Sequence, residues 1–388
     1  MNRPLVIAIA PDSFKGTLSA VQAAACMERG LRRALGRVSF RSVPMADGGE
    51  GTVRTIVAAT GGRLVRRRVS DPLGRKRMAV FGLTGDGGTA VIEMAEASGL
   101  MLLKSSERNP LVTSTRGTGE LIRHALDLGA SRILIGIGGS ATNDGGTGMA
   151  RALGARFLDR RGEPIPEGGG ALRRLARIDM SGLDPRLGQV MIEAACDVDN
   201  PLLGPRGAAR VYAPQKGATP SMVRELERGL SRFAEVGRRD VGAAVADVPG
   251  AGAAGGLGAG LLAFLGARLR RGVEVVSEIV QLERRLAGCD LVVTGEGRMD
   301  GQTVHGKTPA GVAAVAARLG IPVIAICGSL GPDAQRVHEV GIAACFSALR
   351  EPVPEDELPR RAPRLLEDCA EEVGRLVIIA GGLRGLTA

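Results

Sequence analysis

Six turns in this chain combine glycine with side chains that hold or move charge. They are APDSFKG at 10–16, MADGGEGT at 45–52, GIGGSATNDGG at 136–146, ACDVDNP at 195–201, GAAGGLGAG at 252–260 and TGEGRMDGQTVHGKT at 294–308. Glycine lets backbone amides approach a ligand closely. Asp, Lys, Ser and Thr beside it suit oxygen-rich anions such as phosphate and carboxylate, with a divalent metal between them. Four of the turns follow an apolar run that reads as a buried strand. A site assembled from so many separated loops predicts an enzyme cleft rather than a simple binding patch.

The third turn has two readings. Successive amides at Gly138, Gly139, Ser140 and Ala141 can form an anion nest whose following helix adds positive potential. Alternatively it is a tight strand-to-helix turn capped by Thr142 or Asp144. Asp197 ends a strand, with Asp199 on the same side two residues on, which suits metal binding or proton removal. An Asx-turn before Asn200-Pro201 would use the same residues. Asp47, Glu296 and Asp300 share that ambiguity. Gly301 and the GKT at 306–308 match the spacing of a phosphate loop. Such a loop begins at the strand end, however, and here GEGRMD follows Thr294 before the pattern starts, so a phosphate-binding lysine reached by another route is expected.

Only five of the 51 basic residues are lysine. Lys15, Lys216 and Lys307 each touch a glycine in or beside a motif, where a compact ammonium charge is useful. Nothing points to a covalent nucleophile: there is no GxSxG and no Cys/His arrangement.

The elements that must position these turns alternate strand and helix at both ends of the chain. Strands are expected at 5–10, 40–45, 291–294, 322–327 and 343–347, and helices at 19–35, 50–60, 309–319 and 361–376. Residues 63–94 read instead as strands joined by tight turns. The expected architecture is α/β with two domains. One is a Rossmann- or flavodoxin-like parallel sheet built from 1–62 and 273–388. The other is an inserted α/β domain with a mixed sheet, 63–272.

The bulk numbers exclude several classes. The formal charge is +10 (51 basic less 41 acidic), yet the arginines are scattered among acids. With no Trp and one Tyr there is no aromatic platform for single-stranded nucleic acid. No run approaches the ~18 apolar residues of a membrane span. The six cysteines form no metal spacing. A soluble, reduced, cytoplasmic protein is expected, with neither nucleic-acid nor membrane partners.

Taken together, APDSFKGTLSA, MADGGEGT, IEMAEASGL, TSTRGTGELI, IGIGGSATNDGG, ACDVDNPLLGP, PQKGA, PGAGAAGGLGAG and VTGEGRMDGQTVHGKTPAGVA resemble, in order and over essentially the whole chain, the bacterial glycerate kinases that form 2-phosphoglycerate. The resemblance implies ATP- and Mg²⁺-dependent phosphorylation of D-glycerate, with the active site in the cleft between the two α/β domains; a monomer or homodimer is expected. A kinase giving 3-phosphoglycerate, or one acting on another small hydroxy acid, is the alternative. Under this resemblance Asp197 is expected as the base or hydroxyl-orienting group. Lys15 and Lys307 would neutralise phosphate or the glycerate carboxylate. Ser13, Arg298 and Asp300 would bind substrate, and Gly138, Gly139, Ser140, Ala141, Thr142 and Lys216 the ATP phosphates. Asp47 and Glu296 would be Mg²⁺ ligands.

Overall fold

Apolar runs from the two ends of the chain meet in one sheet. In the computed structural model, which describes residues 4–36 and 38–382, Leu5–Pro11 pairs in parallel with Leu291–Gly295 and, on its other edge, with Val38–Ser42. Residues 1–3, 37 and 383–388, which fall within the expected first domain, lie outside the described residues. The full strand order is Ile342–Ser347, Val323–Cys327, Leu291–Gly295, Leu5–Pro11, Val38–Ser42, and every adjacent pair is parallel. Strands buried on both faces read as unbroken apolar runs, which is why LVIAIAP and LVVTG were legible. Ile7, Ile9 and Val293 are fully buried.

The helix Ala20–Ala34 begins at Ser19, whose side chain forms a capping box with Gln22. It packs along the last helix, Leu358–Gly382, which is longer than the expected 361–376. Gly30 makes that contact possible: a Cβ there would stand 2.1 Å from the Glu367 carbonyl oxygen. Between the last two strands of this sheet the chain makes the 3₁₀ turn Ala334–Val340.

Contacts divide the chain into a unit ending at Asp47 and resuming at Val273, and a second unit, Gly48–Gly272. The dividing point thus precedes the expected one at 62/63. The reason is the helix Thr52–Thr60, which packs on the second unit's sheet. Its Val53 amide donates to Glu93 at 2.8 Å, and Val57 would meet a Cβ on Gly82 at 2.6 Å. That sheet has the order Arg268–Arg270, Met191–Ala195, Arg132–Gly136, Thr89–Glu93, Lys76–Leu83, Arg63–Ser70. Its first four strands are parallel and the last two antiparallel, so it is mixed. The core is aliphatic apart from a few phenylalanines, of which Phe157 and Phe233 set their rings edge-on to Phe264.

The first and last residues of the second unit lie side by side. Gly48 has φ +88°, and a Cβ on it would stand 2.3 Å from the Ala195 Cβ and 3.3 Å from the Gly272 Cα. No described helix is long and apolar enough to cross a membrane.

Alanine in place of a mid-helix glycine ordinarily gains about 1 kcal/mol. Gly30→Ala should do the reverse, because the new methyl has backbone rather than a flexible side chain in its way. The expected loss is about 1–3 kcal/mol, read by urea denaturation; a gain would mean that the two helices separate freely.

Candidate active site

In the first unit the strand order reverses direction between Leu5–Pro11 and Leu291–Gly295. Ligands of open α/β sheets bind outside the carboxyl ends of the strands at such a switch point. Asp12 follows the first of these strands and Glu296 the second, and the Asp12 amide donates to the Gly295 carbonyl at 2.8 Å. Asp47 arrives at the same end because two hydrogen bonds prolong the edge pairing beyond Ser42. They run from Val43 N–H to Ile9 O, 2.8 Å, and from Met45 N–H to Pro11 O, 2.9 Å.

These residues open onto a cavity of about 390 Å³ also lined by Ser13, Lys15, Arg298, Asp300 and Lys307. Seven candidates from the sequence therefore share one wall: Ser13, Lys15, Asp47, Glu296, Arg298, Asp300 and Lys307. Opposite charges face one another across it at distances beyond direct hydrogen bonds. Lys15 Nζ stands 3.9 Å from Asp47, Lys307 Nζ 3.8 Å from Glu296 and 3.6 Å from Asp300, and Arg298 Nε 3.9 Å from Asp300. Such loose pairing leaves the cations able to turn to an anionic ligand.

Two of the carboxyls are held away from their ordinary range. Burial, then the neighbouring negative charge of Asp47, pushes Asp12 up to about 6, against the Thr308 hydroxyl and the Ser13 amide, which favour its ionised form. Burial likewise pushes Glu296 up to about 7, opposed by the Thr303 hydroxyl (2.7 Å) and by Lys307. Shifted acids at a cavity wall are a mark of functional sites.

Asp12 is the residue that reading the sequence missed. Its signal in APDSFKG is an aspartate placed directly after an apolar strand. Thr303 and Thr308, both fully buried and donating to these carboxyls, carry no comparable signal. Thr308 also disposes of the phosphate-loop match, since its hydroxyl is committed to Asp12 and the segment from Gly295 runs through a short strand at Arg298–Met299.

The second unit contains the remaining candidates. At the tip of the 136–146 turn Gly138 and Gly139 are exposed. The Ala141 amide is already donated to the Ser98 carbonyl at 2.9 Å, so it is not an open donor of an anion nest. The following helix, Thr147–Ala152, has six residues, too few to add much potential. Asp144, fully buried, takes up its amides: it accepts from Gly146 N–H (3.2 Å), Gly148 N–H (3.1 Å) and the Thr115 amide and hydroxyl (both 2.9 Å). Capping by Asp144, one of the two sequence readings, is thus built here.

Lys216 is buried, 1% exposed, and donates to Ser140 Oγ and the Thr142 carbonyl, both at 2.6 Å. Burial pulls its ammonium down to about 7, against the attraction of Asp144. It braces the turn from beneath. Thr142 is fully buried as well. Asp197 is exposed, and its Oδ1 accepts the Gly272 N–H at 3.0 Å. Asp199 pairs with Arg206 at 2.7 Å.

Comparison with known proteins gives one consistent answer. The model of the Glycerate kinase family matches residues 7–378. A glycerate kinase of Bacillus subtilis (strain 168) is 53% identical over 374 residues, covering 96% of this chain and 98% of its own. The glycerate 2-kinase of Escherichia coli (strain K12) is 54% identical over 343 residues, covering 88% of this chain and 90% of its own. A crystal structure assigned to glycerate kinase 2 from Salmonella typhimurium LT2 has a TM-score of 0.91 at 49% identity, covering 98% of this chain and 100% of that one.

The raised Glu296 fixes a pH dependence of stability. The folded protein keeps this proton up to about pH 7, whereas the unfolded chain releases it near the ordinary 4.5. Stability contributed by the protonated acid is complete below pH 4.5 and is lost as the pH rises through 7. Glu296→Gln copies the protonated acid. In metal-free buffer at pH 8 it should be more stable than the parent by on the order of 2 kcal/mol. The two thermal melting curves, followed by circular dichroism, should converge below about pH 4.5; a variant that melts lower at pH 8 contradicts the assignment.

Proposed function

This chain belongs to the glycerate kinase family, and we infer from that premise that it transfers a phosphoryl group from ATP to glycerate, giving 2-phosphoglycerate. The relatedness to a glycerate 2-kinase over most of both chains carries this reading, and the chemistry of the first unit's cavity supports it. Phosphoryl transfer asks a protein for positioning and charge stabilisation, with little covalent chemistry. Lys15 and Lys307 serve as the compact positive charges for phosphate or the glycerate carboxylate. Arg298 presents a fork to that carboxylate, with Ser13 and Asp300 beside it. In the second unit Gly138 and Gly139 offer exposed backbone to the ATP phosphates, on a turn that Ser140, Thr142 and Lys216 hold in shape.

Mg²⁺ is the expected companion of ATP. Among the described residues no group of three or more His, Cys, Asp or Glu has metal-holding geometry. Mg²⁺ in kinases needs no such cage, since it takes one or two carboxylates and otherwise phosphate oxygens and water. Asp47 and Glu296 are hard oxygen donors of that kind and would hold it. When bound, the ion would neutralise charge on the transferring phosphates. A cytoplasmic location and a monomeric or homodimeric state complete the reading.

Incubation with ATP, Mg²⁺ and D-glycerate, followed by ³¹P NMR, should give the 2-phosphoglycerate resonance. 3-Phosphoglycerate would keep the kinase and overturn the regiochemistry. No transfer by folded, ATP-binding protein would move the reading to another hydroxy acid, and no ATP binding would end it.

A further inference from the structure

When an alcohol attacks a phosphoryl group, its hydroxyl must be aimed and its proton must go somewhere. The carboxylate that receives it has to stand in the cavity wall, be fixed in direction and keep a lone pair open. Asp197 is exposed in the second unit and spends Oδ1 on the Gly272 amide. In the first unit, Glu296 is fixed by one hydroxyl alone among the described residues, that of Thr303, and its other oxygen has Lys307 at 3.8 Å, beyond a direct hydrogen bond. Asp47 faces Lys15.

Asp12 meets all three demands. It lines the cavity at the switch point and is only 8% exposed. The Ser13 amide donates to its Oδ1 at 2.6 Å and the Thr308 hydroxyl to its Oδ2, which together fix the plane of the carboxylate. A carboxylate oxygen accepts about two hydrogen bonds, so each keeps one position for a further donor. We propose that Asp12 is the residue that receives the hydrogen bond of the attacking glycerate hydroxyl and takes its proton, with Thr308 as the positioning residue that aims it. This rests on the kinase reading above. The hydroxyl oxygen forms a bond to the γ-phosphorus. The bond from that phosphorus to the bridging oxygen breaks, its electron pair leaving with ADP. The hydroxyl proton passes to Asp12 and then to solvent.

The test compares steady-state kinetics of Asp12→Asn, Thr308→Val and Thr308→Ser with the wild type, together with binding of D-glycerate and ATP. Asp12→Asn should lower kcat by about 10²–10⁴-fold, while KM for glycerate and the affinity for ATP change by less than about threefold. Thr308→Val should lower kcat by about tenfold at unchanged KM, and Thr308→Ser, which keeps the hydroxyl, should restore it. A kcat for Asp12→Asn within about threefold of wild type overturns the proposal. So does a loss that appears wholly as weaker glycerate binding. Should Asp12→Asn fail to fold, the threonine pair decides: Thr308→Val indistinguishable from wild type overturns it. Wild-type protein inactive on glycerate sinks the kinase reading instead, and is seen before any variant is made.

Discussion

The pairing of Leu5–Pro11 with Leu291–Gly295 is the contact on which the candidate site rests. Its partners are 284 residues apart along the chain, as Ile7 and Leu291 show. Closing a connection of that length costs only a few kcal/mol more than closing a short one, because the entropy grows with the logarithm of length. In return it sets Asp12 beside Glu296 and creates the reversal of strand order at which the cavity opens. Loss of register by one residue would turn Asp12 and Glu296 away from their present partners. The Asp12 amide on the Gly295 carbonyl pins that register at its functional end.

The same end of the sheet carries an electrostatic cost. Asp12 and Glu296 are buried, and burial is the largest cause of the rise in each. Two threonine hydroxyls, from Thr303 and Thr308, offset part of that cost without adding charge. The second unit handles its own buried charge differently. Asp144 is surrounded by backbone amides and Lys216 by a hydroxyl and a carbonyl. Ionic pairing is used both at the surface, where Arg29 and Arg33 meet Glu367 and Arg186 meets Asp127 and Asp184, and at buried Glu193, which Arg132 and Arg270 clasp from its more exposed side. Exposed pairs of this kind contribute little stability each.

What was legible in the sequence follows from locality. LVIAIAP and LVVTG announce buried parallel strands by composition alone, and SAVQ announces a capped helix start. Glycine beside Lys15, Lys307 and Asp47 marked loops that the fold brings to one cavity. The misread points depend on partners distant in the chain. The second unit's claim on Thr52–Thr60 is made by Glu93 and Gly82, which no local pattern around 62 reveals. The Ala141 amide looks free until Ser98 is brought beneath it. Lys216 is a charged residue in a glycine-flanked turn, and only the folding of the 136–146 turn over it shows that it is enclosed. The partners of Asp12, the Thr308 hydroxyl and the Gly295 carbonyl, likewise come from the far end of the chain.

The contact between Gly48 and Gly272 has an evolutionary reading. A segment whose two ends touch presents its host with the same short gap that a simple surface turn would fill. Insertions with adjoining termini are the kind that chains tolerate, since the host sheet can form with or without knowledge of what hangs between its ends. The 225 residues from Gly48 to Gly272 therefore have the geometry of a guest. A change in the guest's length leaves the host the same short gap to close, and so leaves the strands that carry Asp12 and Glu296 in place.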